Sequence, residues 1–257
     1  MTSTRRRLRH GAEVVLHLVA REFRLRYRQS TLGFLWAVIE PVSRLIVLAF
    51  VFTRVVPLHI PNYPVFLFTG LITWAWFSSG IISATTSAVD RRDLLFRPGL
   101  PRPIVPIISV LTDGLDYLLA LPVLGGFLLF TRGIPIEAVA LPIALLPQLL
   151  LVTGLGMALA AANVYVRDVN HAVSLAMLVG FYATPVFYKP STFPAAYRPW
   201  VERNPAAQFI GYQRALLVDQ YFPFGWSFVK LTIVCFAVFV GGFLVYRAAG
   251  QTFVDEL

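Results

Sequence analysis

Six apolar stretches, at 34–56, 63–88, 104–130, 136–164, 172–188 and 228–245, fill most of this 257-residue chain. A helix needs about 20 predominantly apolar residues to cross a bilayer core. Inside that core only helices and closed barrels satisfy their own backbone. Stretches of this length leave little chain for a soluble domain, and a 57% hydrophobic content with mean hydropathy +0.70 agrees. The expectation is an all-α integral membrane protein with six transmembrane helices. Residues 1–33 form a tail with an interfacial helix, and 34–257 form the transmembrane domain.

Arginine placement sets the orientation, because cytoplasmic loops keep the excess of Lys and Arg. Arg5, Arg6, Arg7, Arg9, Arg21, Arg24, Arg26 and Arg28 precede the first stretch, and Arg91, Arg92, Arg97 and Arg102 follow the second. Arg167 and Arg247 fall on the same side. The other side receives only Arg54, Arg132, Lys189, Arg198, Arg203 and Arg214. Both termini are therefore expected in the cytoplasm. A net charge of +9 is accounted for by basic loops facing anionic lipid at ~1 kcal/mol per residue, so nucleic acid is not the expected partner. No segment reads as a cleaved leader, since the charged N-terminal stretch is too long before any apolar run.

Residues 12–29 are periodic without being apolar enough to insert. His17, Arg21, Arg24 and Arg28 fall on one face, and Val15, Val19, Phe23 and Tyr27 fall on the other. This pattern predicts an amphipathic helix in the interface. It serves either as an anchor or as a docking element for a partner or a substrate head group. Within the first stretch, Glu40 and Arg44 are four apart and predict an intramembrane pair facing protein or water. Pro41 between them frees a carbonyl. Asp113 and Asp116, one turn apart in the third stretch, read as cavity lining or helix contacts in preference to a catalytic pair. Gly154, Ala158 and Ala162, with Gly156 and Ala160, form small-residue stripes that bring helices close. The long loop 189–227 predicts two short Pro-initiated helices, 194–203 and 205–218, with Asn204 capping the second.

Several chemistries are excluded. A phosphate-cradling loop needs Gly-rich backbone followed by Lys and Ser or Thr. Lys189 precedes Pro190 and Lys230 precedes Leu231, so this chain does not hydrolyse ATP by that route. His10, His17, His59 and His171 are scattered and Cys235 is alone, so no metal site and no intramolecular disulfide is expected. No GxSxG elbow occurs.

The stretch 26–42, RYRQSTLGFLWAVIEPV, resembles the start of the membrane subunit of bacterial ATP-binding-cassette polysaccharide exporters. In that family a basic interfacial helix runs into Leu-Gly-x-x-Trp and a Pro-bearing first span. The Pro-rich run 100–106, the segment 165–169 (YVRDV) and 184–188 (TPVFY) with Asn204-Pro205 and Arg214 are similar in order and spacing. Glu40 departs from the neutral polar residue expected there. The resemblance implies an exporter of polyprenyl-pyrophosphate-linked glycan, of O-antigen or galactan type, in the bacterial plasma membrane. It implies a permease that pairs with a second copy of itself and with two copies of an ATPase subunit. No cofactor would sit in this chain; ATP and Mg would be bound by the partner. A lipid or drug exporter of the same superfamily is the alternative, and a membrane enzyme acting on lipid-linked sugars is a weaker one.

Within that resemblance, roles fall on particular residues. Arg24, Arg26 and Arg28 are expected to meet the pyrophosphate head group, since Arg suits bidentate phosphate contact. Trp74, Trp76, Phe77, Phe181 and Tyr182 are expected either to pack or to line the channel. In the loop 89–102, Arg91, Arg92, Leu94, Leu95, Phe96 and Arg97 are expected to dock into the ATPase, with Leu94, Leu95 and Phe96 as anchors. Arg167 and Asp168 would make a smaller second contact.

Overall fold

The computed structural model describes residues 2–28, 30–131, 133–250 and 253, with backbone alone for 2–12. Arg132 and the side chains of Arg5, Arg6, Arg7, Arg9 and His10 lie outside what it describes. Among the described residues all regular structure is helical. The elements are α1 (Thr2–Tyr27), α2 (Trp36–Phe50), α3 (Tyr63–Asp90), α4 (Arg92–Leu95), α5 (Ile104–Thr131), α6 (Leu141–Tyr165), α7 (Asp168–Ala183), α8 (Arg198–Arg203), α9 (Pro205–Leu217) and α10 (Trp226–Ala249). A short 3-10 turn at Gly33–Leu35 leads into α2, and a π turn at Val51–Val55 extends it.

Among the described residues, five helical segments are long and apolar enough to cross a membrane: Gly33–Val55, Tyr63–Asp90, Ile104–Thr131, Ile136–Tyr165 and Trp226–Ala249. The remaining stretch differs from expectation. Its helix α7 stops at Ala183 after 16 residues, a rise of ~24 Å against a core of ~30 Å. The cause is local. Thr184 is extended (φ −100°, ψ 140°) ahead of Pro185, which disfavours helix in the residue before it. The six apolar stretches thus hold five full-length helical segments and a shorter sixth helix.

The loop helices form, with one shorter than expected. α8 covers only Arg198–Arg203, after a 3-10 turn at Pro190–Thr192. α9 opens with Pro205, whose missing N–H has no partner to lose at a first turn. The Asn204 side chain caps it by accepting the Ala206 N–H at 3.0 Å.

Lipid tails are as apolar as Leu, so bundles in membranes cohere through close packing and internal hydrogen bonds. α3 is the hub, packed by α2, α5, α6, α7 and α9. The two small-residue stripes of α6 meet different neighbours. A methyl on Gly156 would strike Ala84 of α3, and one on Gly154 would lie 2.5 Å from the Phe239 Cα of α10. A second core at one end of the bundle joins Leu18 and Val19 of α1, Leu94 and Leu95 of α4, and Tyr246 of α10. The start of α3, the 184–193 segment, α8 and the end of α9 lie at the opposite end.

Candidate functional site

The charged groups of the interfacial helix and of α5 come together. Arg26 sits 2.8 Å from Asp113 and 2.7 Å from Asp116, and the Tyr27 hydroxyl donates to Asp116 at 2.8 Å. Ser83 of α3 donates a short hydrogen bond to Asp113. Burial opposes the charge of Arg26, but attraction and hydrogen bonding from Asp113 outweigh it and raise its pKa. Burial, then the bond to Asp116, pushes the Tyr27 phenol up as well. Asp113 and Asp116 are therefore helix-contact and cavity-lining groups. Of the three arginines expected at a head group, Arg26 is already held by carboxylates. Arg24 donates from Nε to its own Ala20 carbonyl at 3.2 Å, and both Arg24 and Arg28 remain exposed.

This cluster opens onto a cavity of about 370 Å³ that Glu40, Arg44, Trp76 and Tyr117 also line. Glu40 and Arg44 pair at 2.5 Å, as their spacing predicts. α2 buries only Leu45, and the pair stands on its uncovered face, 65% and 55% exposed. A second cavity of about 570 Å³ runs beside it between α2, α3 and α7, lined by Ser43, Arg44, Val47, Trp74, Ser78 and Phe181 among others.

The aromatic residues expected on a channel wall divide. Trp74 lies against Phe77 and Phe181, with ring centroids 5.4 and 6.1 Å apart, and borders the larger cavity. Tyr182 is 63% exposed. Trp76 donates its indole N–H to the Val110 carbonyl at 3.2 Å and packs over Gly114 of α5. Phe77 is buried against Phe209. Trp76 and Phe77 are thus mainly interhelix packing, with Trp76 touching the smaller cavity at its edge.

The α4 loop also corrects expectation. Leu94 and Leu95 are 4% and 2% exposed, buried in the chain's own core with Leu18, Ile108 and Tyr246. As anchors for a partner they are already occupied. Phe96, 41% exposed, is left outside, with exposed Arg92 and Arg97 beside it. Arg91 turns inward, bonding Glu22 of α1 at 3.0 Å and the Ser109 hydroxyl of α5. Arg167 and Asp168 are exposed at the turn between α6 and α7.

Two buried polar residues, Gln213 and Arg214, were given no structural role by the sequence reading. Gln213 accepts from Thr73 at 2.6 Å and from Tyr117 at 2.8 Å, and donates to Gln148 at 3.2 Å. This network sews α9 into α3, α5 and α6, so α9 dips into the bundle as a re-entrant element. Arg214, 6% exposed, donates to the carbonyls of Phe66, Pro185 and Val186 at 3.2, 2.7 and 2.5 Å. The available signal was polarity itself, since Gln148 interrupts an apolar run and Gln213-Arg214 interrupts an amphipathic one.

Comparison with known proteins now decides the class. The family profile described as ABC-2 type transporter matches residues 13–218. The chain belongs to the ABC-2 type transporter family. It is similar to the O-antigen export system permease protein RfbA of Myxococcus xanthus, with 31% identity over 95% of both chains. A protein of that name from Klebsiella pneumoniae is 26% identical, again over 95% of both. The polysialic acid transport protein KpsM of Escherichia coli is 26% identical over 96% of this chain and 99% of its own.

This ABC-2 subunit is accordingly a multi-pass transporter component, not an enzyme, and it works with an ATPase partner. In that light the exposed Phe96 edge of α4 and the Arg167–Asp168 turn lie where two connections of the bundle end together, on the side of α1 and the end of α10.

Proposed function

We propose that this chain is the transmembrane subunit of an exporter that moves a polyprenyl-pyrophosphate-linked glycan across the bacterial plasma membrane, with both termini cytoplasmic. Two copies would frame the path, and two ATPase subunits, which bind ATP and Mg, would drive it. The observation that carries this reading is the exposed Glu40–Arg44 pair on α2. An ionised group at bilayer depth costs ~2.5–3.5 kcal/mol on insertion scales and therefore faces protein or water. A second copy across a hydrated path supplies that environment. The cargoes in the relatives' names, O-antigen and polysialic acid, are polysaccharides and favour a glycan over a drug or a free lipid.

On this reading Arg24 and Arg28 meet the pyrophosphate at the cytoplasmic interface, while Arg26 fixes the helix that presents them. Sugar rings then pass Trp74, Phe181 and Tyr182, whose faces stack on them without demanding one sequence of units. Phe96, Arg92 and Arg97, with Arg167 and Asp168, form the ATPase-facing surface. Co-expression with the neighbouring ATPase, purification and an ATPase assay test this. A two-plus-two complex whose hydrolysis needs both subunits supports it, and a chain that purifies alone without binding any ATPase overturns it.

A further inference from the structure

At the end of the bundle opposite α4, a cavity of about 540 Å³ opens between the start of α3, the 185–191 segment and α9. Its floor is Arg214, whose three hydrogen bonds all go to carbonyls, leaving two of its five N–H groups uncommitted. No carboxylate among the described residues pairs with it. The Phe66 ring lies 3.4 Å below the guanidinium, and Asp219 on the same cavity's lining attracts it through space without pairing. Burial lowers its pKa to about 9, with Tyr63 and Asp219 opposing part of that fall, so at neutral pH it stays a buried cation with no carboxylate in contact. Such a charge gains when an oxyanion arrives. Lys189 and Asp219 stand exposed on the rim, which makes the lining one positive charge in excess. Asn62, Ser191 and Tyr221 add an amide and two hydroxyls. Gly211, one turn before Arg214, also lines the cavity, and a methyl added there would meet nothing within 4 Å.

We infer that this cavity binds an acidic sugar unit, its carboxylate or phosphate on Arg214 and Lys189 and its hydroxyls on Asn62, Ser191 and Tyr221. The volume falls within the ~300–1,000 Å³ of small-molecule sites. The site rests on geometry; the choice of a sugar as ligand rests on the glycan-export reading. A phospholipid head group offers the same oxyanion but would leave most of the polar lining unused.

The test is thermal unfolding of the subunit–ATPase complex in phosphatidylcholine nanodiscs with glucuronate, glucose 6-phosphate or glucose. The two acidic sugars should raise the melting temperature and glucose should not. Lys189→Ala should weaken the apparent affinity about fivefold. Gly211→Leu, which fills open space, should abolish the shift while leaving the complex intact. No shift with either acidic sugar overturns the proposal, as does a shift unchanged in both variants. Protection by phosphatidylglycerol nanodiscs with none from the sugars also overturns it, because the site is then a lipid site. Failure to assemble with the ATPase would instead count against the export reading, and the binding measurement on the subunit alone still reads the cavity.

Discussion

Arg26 and Asp113 close a 2.8 Å ion pair between the interfacial helix and a point about 15 Å along α5. Asp116 shares the same guanidinium at 2.7 Å. Arg26→Ala should therefore destabilise the subunit, because it strands two carboxylates. Breaking a fully buried pair costs roughly 3–5 kcal/mol. Here the Arg26 side chain is 31% exposed, so about 1–3 kcal/mol is expected. Asp116→Asn should cost less, since Asp113 still compensates the charge. Arg24→Ala and Arg28→Ala should leave the melting temperature unchanged and lower export. Thermal unfolding beside a glycan-export assay separates a structural arginine from two substrate-facing ones. Equal melting temperatures for all four variants would remove that distinction.

Leu95 and Phe96 are adjacent in sequence and opposite in role. Leu95→Asp places a carboxylate in the core formed with Leu18 and Tyr246, so the subunit should fail to accumulate. Phe96→Asp should accumulate normally and lose co-purification with the ATPase. Stoichiometric ATPase binding by Phe96→Asp would show that α4 docks through some other edge.

The bundle was legible in sequence where one physical rule dominates. Stretch length located the helices, the four-residue spacing located the Glu40–Arg44 pair, and Asn204-Pro205 located the start of α9. Rules that need a partner's position were silent. Nothing in the order Arg91-Arg92-Asp93-Leu94-Leu95-Phe96 says that α1 and α10 cover the two leucines and leave the phenylalanine out. Likewise the length of 172–188 suggested one unbroken helix, but Pro185 ends it at Ala183. Arg26 read as substrate-facing because its counter-charges lie about 90 residues away in α5.

Gln213 holds three helices through one amide. Gln213→Leu removes the acceptor of Tyr117 and leaves Gln148 short of a partner, while Thr73 keeps the Thr69 carbonyl. Unsatisfied buried groups cost about 1–3 kcal/mol each in mutational data, while hydrogen bonds within membranes average nearer 0.6. The expected loss is therefore about 1–3 kcal/mol in total, read as a lower unfolding temperature with the helix content kept. A variant as stable as the parent would mean that α9 is retained by packing alone.

Gly154 and Gly242 bring α6 and α10 into backbone contact. A methyl on Gly242 would overlap the Gly154 carbonyl, and no flexible side chain is available there to yield. Gly242→Ala should cost about 1–3 kcal/mol as an overpacking change, despite the better helix propensity of Ala. Gly241→Ala, where an added methyl meets nothing within 4 Å, is the matched control and should be neutral or slightly stabilising. The comparison isolates close approach from propensity, because both substitutions make the same change on the same helix.

Tyr182 and Trp74 test the wall of the proposed path in complementary ways. Tyr182 is 63% exposed and its ring rests edge-on against Phe181 at 5.3 Å, so Tyr182→Ala removes a sugar-facing surface at little structural cost. Export should fall by roughly three- to tenfold if stacking is worth about 1 kcal/mol, with no change in melting temperature. Trp74 is 6% exposed and fills the space above Gly180. Trp74→Ala should lower both export and stability, the latter by about 3–5 kcal/mol where neighbours do not collapse. Trp74→Phe keeps an aromatic face with less volume and should recover export more than stability. If Tyr182→Ala and Trp74→Phe both export at the parental rate at equal expression, the aromatic wall is packing and the glycan passes elsewhere.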